Sequence, residues 1–513
     1  MINRRTLLAA TASTGLVSTL SACARSAPEP GLLRVAISTM PDSLDPARGQ
    51  FAASALIYKQ IHAGLTDYGP DGGLSGGLAE SWTVSEDGLV WRFVLREGLL
   101  WSDGQALTAT DVVWSAQRLV DPTQSFADLG DFHAVENARA VLAREMPPAT
   151  LGVEAIDERV VEFRLTSPLG LFPILMREFY PFPRHAIESH GADWIRPENL
   201  VTAGAYTVSD DGQNTLWLAK NPNYYNADEV AIETIVVDAV RDASTRVRLF
   251  RSDEYDLADN PTANQIGFLR DNLGRRFQSF DAPILRYLKL NHARPELADP
   301  RVRLALSLAV DREFIAREFF SDTARPTAHV IPGPPSGPAD LAQAQQIIDS
   351  LDASWLDRPL QIRTTVGENE PVAVALADDW GRLGIETEIL VTYPTDLYQA
   401  VDNGDFDIAI SRYNRGLKSD PFYMLDPFAP GGFADNFNWQ DEIYASLMAD
   451  ARRQSDANAR ARTYAAAEAR LLAQSALIPL VHERAHWLVG ERLTGTRADV
   501  QPMLWRDLGI AQP

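Results

Sequence analysis

The chain has a single cysteine, Cys23, in 513 residues, so no intrachain disulfide can form. Basic residues are also scarce. Against 69 Asp and Glu there are 47 Lys and Arg, giving a formal charge of −22. That balance excludes a protein that holds a phosphate backbone through clustered cations, so no nucleic-acid partner is expected. It equally excludes adhesion to anionic lipid through a basic patch. Beyond residue 22 there is no long uncharged apolar run, so nothing later in the chain reads as a membrane span. No Gly-Lys-Ser/Thr follows the glycines of 69–77, which excludes a phosphate loop. No Gly-x-Ser-x-Gly elbow marks a serine hydrolase, and no flanked carboxylate pair marks a glycosidase.

What is present divides at residue 22. Asn3-Arg4-Arg5 resembles the start of a twin-arginine export signal, and an apolar run from Leu7 to Leu20 follows. The run falls short of the ~20 apolar residues that span a bilayer. Leu20-Ser21-Ala22-Cys23 resembles a bacterial lipobox, whose cysteine is lipidated and becomes the first mature residue. Residues 1–22 therefore read as a signal peptide, and 23–30, rich in Ser, Ala and Pro, as a tether. The expected location is outside the cytoplasm, periplasmic or cell-surface, with membrane contact through lipid on Cys23.

Past the tether, 45% hydrophobic and 23% charged residues are ordinary for a globular protein. The length suits roughly three folding units. Residues 32–37 read as a strand. Trp91, Phe93 and Leu95 alternate on one face of a strand over 90–96. Thr108 with Asp111 three residues on has the capping-box spacing, and Pro122 stops that helix. Asp299-Pro300 opens another helix, with a capping Asp and Pro at the first helical position. Residues 340–351, 372–383 and 458–474 read as helices, and 216–219, 232–240, 385–391, 406–410 and 477–489 as strands. Strands and helices mix throughout, so the class is α/β or α+β.

Taken in order, these segments resemble the solute-binding proteins of the oligopeptide, dipeptide and nickel ABC importers, solute-binding protein family 5. The likeness rests on Gly77-Leu78-Ala79-Glu80-Ser81-Trp82, Phe93-Val94-Leu95-Arg96-Glu97-Gly98, Trp101-Ser102-Asp103-Gly104 and Thr202-Ala203-Gly204-Ala205-Tyr206. Asn221-Pro222-Asn223-Tyr224-Tyr225, Asp299-Pro300-Arg301-Val302-Arg303 with Asp311-Arg312, Gly404-Asp405-Phe406-Asp407 and Asp420-Pro421 continue it. The resemblance implies an α/β, type II two-lobed cleft with an additional small domain on the first lobe. It places lobe I at 31–74, 200–281 and 488–513, the extra domain at 75–199 and lobe II at 282–487. It implies a monomeric receptor, not an enzyme, without metal or cofactor. Its partners would be a short peptide or other small solute and the permease subunits of an ABC importer. Trp82, Trp91 and Trp101 are expected to pack the small domain. Arg301, Arg303, Asp311 and Arg312 are expected to form a charge network on a helix surface.

By the same resemblance, a segment ahead of an Asp-Pro turn carries a Trp and an Asp that pairs with a peptide's amino group. Here that stretch is Ser411-Arg412-Tyr413-Asn414-Arg415-Gly416-Leu417-Lys418-Ser419-Asp420-Pro421, and neither alignment puts a carboxylate in the Asp place. An ammonium group buried without a partner is costly. Arg412, Arg415 and Lys418 suit an anion better, Arg415 best of the three. The candidate ligand residues are Tyr413, Asn414, Arg415, Asp420, Asn436, Phe437 and Trp439, with Tyr413 and Trp439 as stacking walls. A peptide leads as ligand; an anionic conjugate, an oligosaccharide or a metal chelate is the alternative.

His482-Glu483-Arg484-Ala485-His486 fits the zinc-protease spacing, and a secreted hydrolase is the reading it would carry. That chemistry needs a helix. On a strand at roughly 3.3 Å per residue the two rings stand about 13 Å apart and cannot share a metal.

Overall fold

The computed structural model describes residues 30–511 apart from 50, 70–72, 125–129, 322, 353–354, 368, 415–419, 433 and 497–503. Cys23 with its export segment, and Arg415, lie outside the described residues.

An 11-stranded mixed sheet runs through the molecule. A four-stranded sheet stands apart from it. In chain order the strands are β1 (Leu32–Ile37), β2 (Ala79–Val84), β3 (Val90–Leu95), β4 (Val153–Ala155), β5 (Val160–Arg164), β6 (Tyr206–Asp211), β7 (Thr215–Lys220), β8 (Thr234–Ala239), β9 (Leu257–Asp259), β10 (Phe277–Leu290), β11 (Ala324–Pro326), β12 (Leu360–Thr365), β13 (Thr387–Thr392), β14 (Ile408–Asn414) and β15 (Leu477–Val489). The large sheet is ordered β13-β12-β14-β10-β15-β9-β1-β8-β7-β6, and β11 pairs with β15 off that path.

β10 and β15 are the longest strands, and both serve two halves of the sheet. The first half of β10 pairs with the end of β15, from Phe277↔Leu488 to Asp281↔Arg484. Its second half pairs with the start of β15 and, on its other edge, with β14. The β10–β15 register breaks between Asp281 and Leu285, where Pro283 cannot donate to a ladder. This break lies on the two strands that run between the two lobes.

β1 is an apolar run, Leu-Leu-Arg-Val-Ala-Ile, buried along most of its length. That is the pattern of a strand covered on both faces. It lies parallel to β8 and β9. In the other half β12 lies parallel to β13 and β14. The four-stranded sheet, ordered β2-β3-β5-β4, has its own aromatic core. Phe93 meets Phe163 edge-on at 5.9 Å and Phe172 at 6.1 Å. Trp91 and Trp101 are buried there as expected, while Trp82 is half-buried.

Helix α1 (Ala109–Leu119) starts at the Thr108–Asp111 capping box, with the Thr108 N–H donating to Asp111 Oδ2 at 2.9 Å. Helix α2 (Pro300–Ala309) is capped by Asp299, which accepts from the Arg301 N–H at 2.8 Å. Helix α3 (Arg312–Phe320) follows it directly.

The expected surface network on these helices is corrected by the structure. Arg301 pairs with Asp299 at the surface, but Arg303 and Arg312 are buried. Arg303 donates to the carbonyls of Ser475, Leu297, Ala298 and Gln474, and Arg312 to those of Pro479 and Ser307. Both clamp the start of β15 and its approach to α2, supplying donors to carbonyls that the turns leave unpaired. Burial pulls both guanidinium groups down to about 10.

Candidate functional site

In a sheet of parallel strands the ligand edge is the one beyond the strands' carboxyl ends. Here β10 and β15 show which way those edges face. Ile284 of β10 stands opposite Asn414, the last residue of β14, so the carboxyl ends of β12, β13 and β14 point toward the crossing. Asp259, the last residue of β9, stands opposite Trp487 and points back toward it from the other lobe. Both lobes therefore turn their carboxyl edges to one interlobe cleft.

On the lobe I side, the edge is held by Asp259. Its Oδ2 accepts from the Ser38 N–H and hydroxyl, each at 3.3 Å, and from Asn260 Nδ2 at 3.2 Å. Arg246 Nε lies 3.1 Å from Oδ1. Burial pushes the Asp259 carboxyl up, against the opposing pull of Arg246 and Ser38. The remaining Arg246 nitrogens donate to the Val240, Arg241 and Asn260 carbonyls, which fixes the turns after β8 and β9.

On the lobe II side, the edge is charged. Arg412 of β14 meets Glu483 of β15 with Nε–Oε1 at 2.7 Å and Nη2–Oε2 at 2.8 Å. Arg286 of β10 donates to the same Oε1 at 2.8 Å and to Asn369 Oδ1 at 2.5 Å. Asn369 in turn donates to Thr365, the last residue of β12, at 3.1 Å. Just beyond, Asp281 accepts from Arg325 at 2.7 Å and lies 3.4 Å from Arg484. Burial alone would raise the Glu483 carboxyl, but the hydrogen bonds and charges of Arg412 and Arg286 outweigh it and hold it below the ordinary glutamate range. Arg286 is buried beneath this pair, whereas the Arg412 side chain is 40% exposed.

Two helices start from this edge, α4 (Glu370–Gly381) after β12 and α5 (Pro394–Asp402) after β13. Where they leave it, Val366 is 50% exposed, Tyr393 69% and Tyr398 66%. An exposed aromatic at a ligand edge is a ready stacking surface.

The sequence-derived residues fall differently. Tyr413 alternates to the opposite face from Arg412 and is buried, its hydroxyl donating to the Tyr423 carbonyl and its ring 6.3 Å from Phe428. Phe437 and Trp439 are buried too, with Trp439 5.1 Å from Tyr444. These three aromatics pack lobe II and are not cleft walls. Asn436 accepts from the Lys289 ammonium and donates to Asp402 at 2.7 Å. Burial draws that lysine down to about 8. Asp420 does not reach for a ligand either: Oδ1 accepts from the Phe422 N–H at 2.9 Å, and Oδ2 lies 4.0 Å from buried Arg460. Of the described candidates, Asn414 alone is exposed at the cleft edge. Arg286, Glu483 and Tyr393 stand at this edge without being among the sequence-derived candidates. For Arg286 and Glu483 the signal is charge near one end of neighbouring strands, together with Arg412, which becomes visible only once those strands are paired; nothing in the sequence marks Tyr393.

His482 and His486 lie on β15, not on a helix. Nε2 of His482 lies 3.1 Å from the His329 carbonyl, and the His486 ring stacks on Phe277 at 5.3 Å. Burial lowers both to about 4. The His-Glu-x-x-His string thus supplies a cleft carboxylate and two packing rings.

Two lobes joined by a pair of crossing strands, with facing ligand edges and an added small domain, define a two-lobed solute-binding protein. The chain belongs to the bacterial extracellular solute-binding proteins, family 5, whose middle-region model matches residues 73–436. It is 29% identical over 467 residues to the probable deoxycholate-binding periplasmic protein YgiS of Escherichia coli, covering 86% of each chain. It is 27% identical over 463 residues to the periplasmic oligopeptide-binding protein OppA of Escherichia coli, covering 86% of this chain and 85% of that one. The unliganded open form of the periplasmic murein tripeptide binding protein MppA superposes with a TM-score of 0.86 at 24% identity, over 94% of this chain and 98% of that one.

Proposed function

We propose that the chain is an exported receptor that takes a short peptide into its interlobe cleft and delivers it to the permease subunits of an ABC importer. The observation that carries this is the pair of facing carboxyl edges across a two-strand hinge. Such a molecule has an open and a closed state, and a solute that touches both edges favours the closed one. The peptide and murein-tripeptide relatives support the ligand class. The likeness to the unliganded open form of MppA supports reading these lobes as the open state.

The division into lobe I (31–74, 200–281, 488–513), extra domain (75–199) and lobe II (282–487) belongs to this reading. So do the signal peptide over 1–22, the lipid on Cys23 and a monomeric state. No catalytic role is assigned. The ligand residues on lobe II are Arg412, Asn414 and Tyr393, with Arg415 next in the chain. On lobe I the corresponding candidates are Ser38 and Asn260, at the carboxyl ends of β1 and β9. Extended solute backbone would pair with main-chain groups at these strand ends, and Arg412 would take a carboxylate.

Native mass spectrometry of the chain made without lipidation, purified without unfolding, tests the reading. Adducts spaced by amino-acid residue masses are expected. One discrete non-peptide mass, a bile salt among them, would overturn the peptide assignment.

A further inference from the structure

A chamber of about 670 Å³ lies between the small aromatic domain and lobe II, apart from the cleft edges. One wall is Trp82, Trp91, Pro173 and Arg177. The other is Asp420 together with Ala461 and Tyr464 of helix α6 (Ala457–Ala473). Volumes of about 300–1,000 Å³ are those of small-molecule sites, which are mostly apolar with a few placed polar groups.

The placed polar group here is Arg177. It is 8% exposed, and its Nε is buried with no hydrogen-bond partner among the described residues. The guanidinium lies over the face of the Tyr68 ring, 4.1 Å from Cζ to the ring centre. The other charges of the chamber are already engaged. Arg460 donates to the Gln454 carbonyl at 2.9 Å, and Asp420 caps Phe422 and lies beside Arg460. Trp91 Nε1 likewise has no acceptor among the described residues. A guanidinium that is buried and unpaired is a group awaiting an anion, and its planar fork fits a carboxylate. Trp82, Trp91, Pro173 and Tyr464 in the chamber walls suit an apolar or aromatic body.

We propose that this chamber is a second solute site, which binds a monocarboxylate carried on an apolar or aromatic body, with Arg177 as its anion anchor. The site stands on the small domain, α6 and the Asp420 turn, and shares no residue with the charged edge at Arg412.

Calorimetric titration of the full chain with indole-3-propionate, and with its amide as the uncharged control, tests this. The acid is expected to bind at least about tenfold tighter than the amide, about 1.4 kcal/mol. Arg177→Met is expected to lose that margin. Ala461→Trp alters an exposed helix position, which leaves folding intact, and is expected to abolish binding by filling the chamber while the affinity for trialanine stays unchanged. Equal binding of acid and amide, no binding at the solubility limit, or full binding in Ala461→Trp would overturn the proposal. Loss of both indole-3-propionate and trialanine in Ala461→Trp would make the chamber part of the cleft and overturn a second site. A protein that binds trialanine but not the acid leaves the transport reading standing without the chamber.

Discussion

Arg412 and Glu483 face each other fork to fork across the hinge end of lobe II, at 2.7 and 2.8 Å, although they are 71 positions apart in sequence. Glu483 also serves Arg286, so one carboxylate answers two guanidinium groups where the cleft begins. Arg412 is the outer of the two cations. Arg412→Ala is expected to weaken a peptide with a free carboxylate by about 1.5–3 kcal/mol, the worth of a hydrogen bond to a charged group. The same peptide with an amidated end should lose nothing. Calorimetry on both peptides checks this, and an unchanged constant for the acid would remove Arg412 from the site.

Glu483 gives the matching stability prediction. Its folded-state carboxyl is held below the ordinary value, so its contribution is complete above about pH 4.3 and drains away as pH falls through the depressed folded value. Glu483→Gln should lower the urea midpoint at pH 7 and lower it less at pH 3. It should also tighten binding of an anionic solute, because the competing carboxylate is gone. Equal losses at both pH values would contradict the charge pairing.

Much of this architecture was legible one element at a time. The sequence pattern gives strand β15 the bounds it has, because Leu-Ile-Pro-Leu-Val and Trp-Leu-Val are strand-like on both sides of the histidines. The capping box at Thr108 and the Asp299-Pro300 start were legible because caps are local chemistry. What failed was the face of a strand. Tyr413 and Arg412 are neighbours in sequence, and a period of two sends one into the core and the other to the cleft. Nothing within Ser411 to Asn414 says which is which. That is settled by β10 and β15, drawn from remote parts of the chain. The burial of Arg303 and Arg312 is illegible for a related reason, since carbonyls that need a donor leave no mark in sequence.

Four histidines work against the fold in acid. His62, His292, His482 and His486 are each lowered to about 4, with burial as the leading cause. Between their ordinary 6.5 and about 4 the unfolded chain holds protons that the folded chain does not. Stability should therefore be full above about pH 6.5 and fall as pH drops toward 4. Urea midpoints at pH 7 and pH 5 measure the slope. Neither ring nitrogen of His486 has a hydrogen-bond partner among the described residues, so His486→Phe should flatten that slope without a loss at pH 7. A slope unaltered in this variant would mean that His486 titrates normally.

Tyr393 separates binding from folding. It is 69% exposed at the start of α5, and exposed positions away from special features change stability by about 0.5 kcal/mol or less. Tyr393→Ala should keep the wild-type melting temperature and lose about 0.5–1.5 kcal/mol of peptide affinity if the ring stacks on the solute. A melting shift with unchanged affinity would place the ring in packing instead.

Gly170 tests the contact between the small domain and lobe II. Its N–H donates to the Arg452 carbonyl at 2.6 Å, and a Cβ built there would stand 1.8 Å from the Gln454 carbonyl oxygen. Backbone cannot yield as a flexible side chain can, so the added methyl has to push the two parts away from each other. Gly170→Ala should cost about 1–3 kcal/mol, the usual penalty for overpacking. Gly381 is the control: it ends α4, and a Cβ there meets nothing within 4 Å. Gly381→Ala should stabilise by up to about 1 kcal/mol through helix propensity alone. Melting curves of the two variants should move in opposite directions. A Gly170→Ala protein that melts with the wild type would mean that Gly170 and the Arg452–Gln454 turn do not touch in solution, and the hinge strands would then be the main link between the lobes.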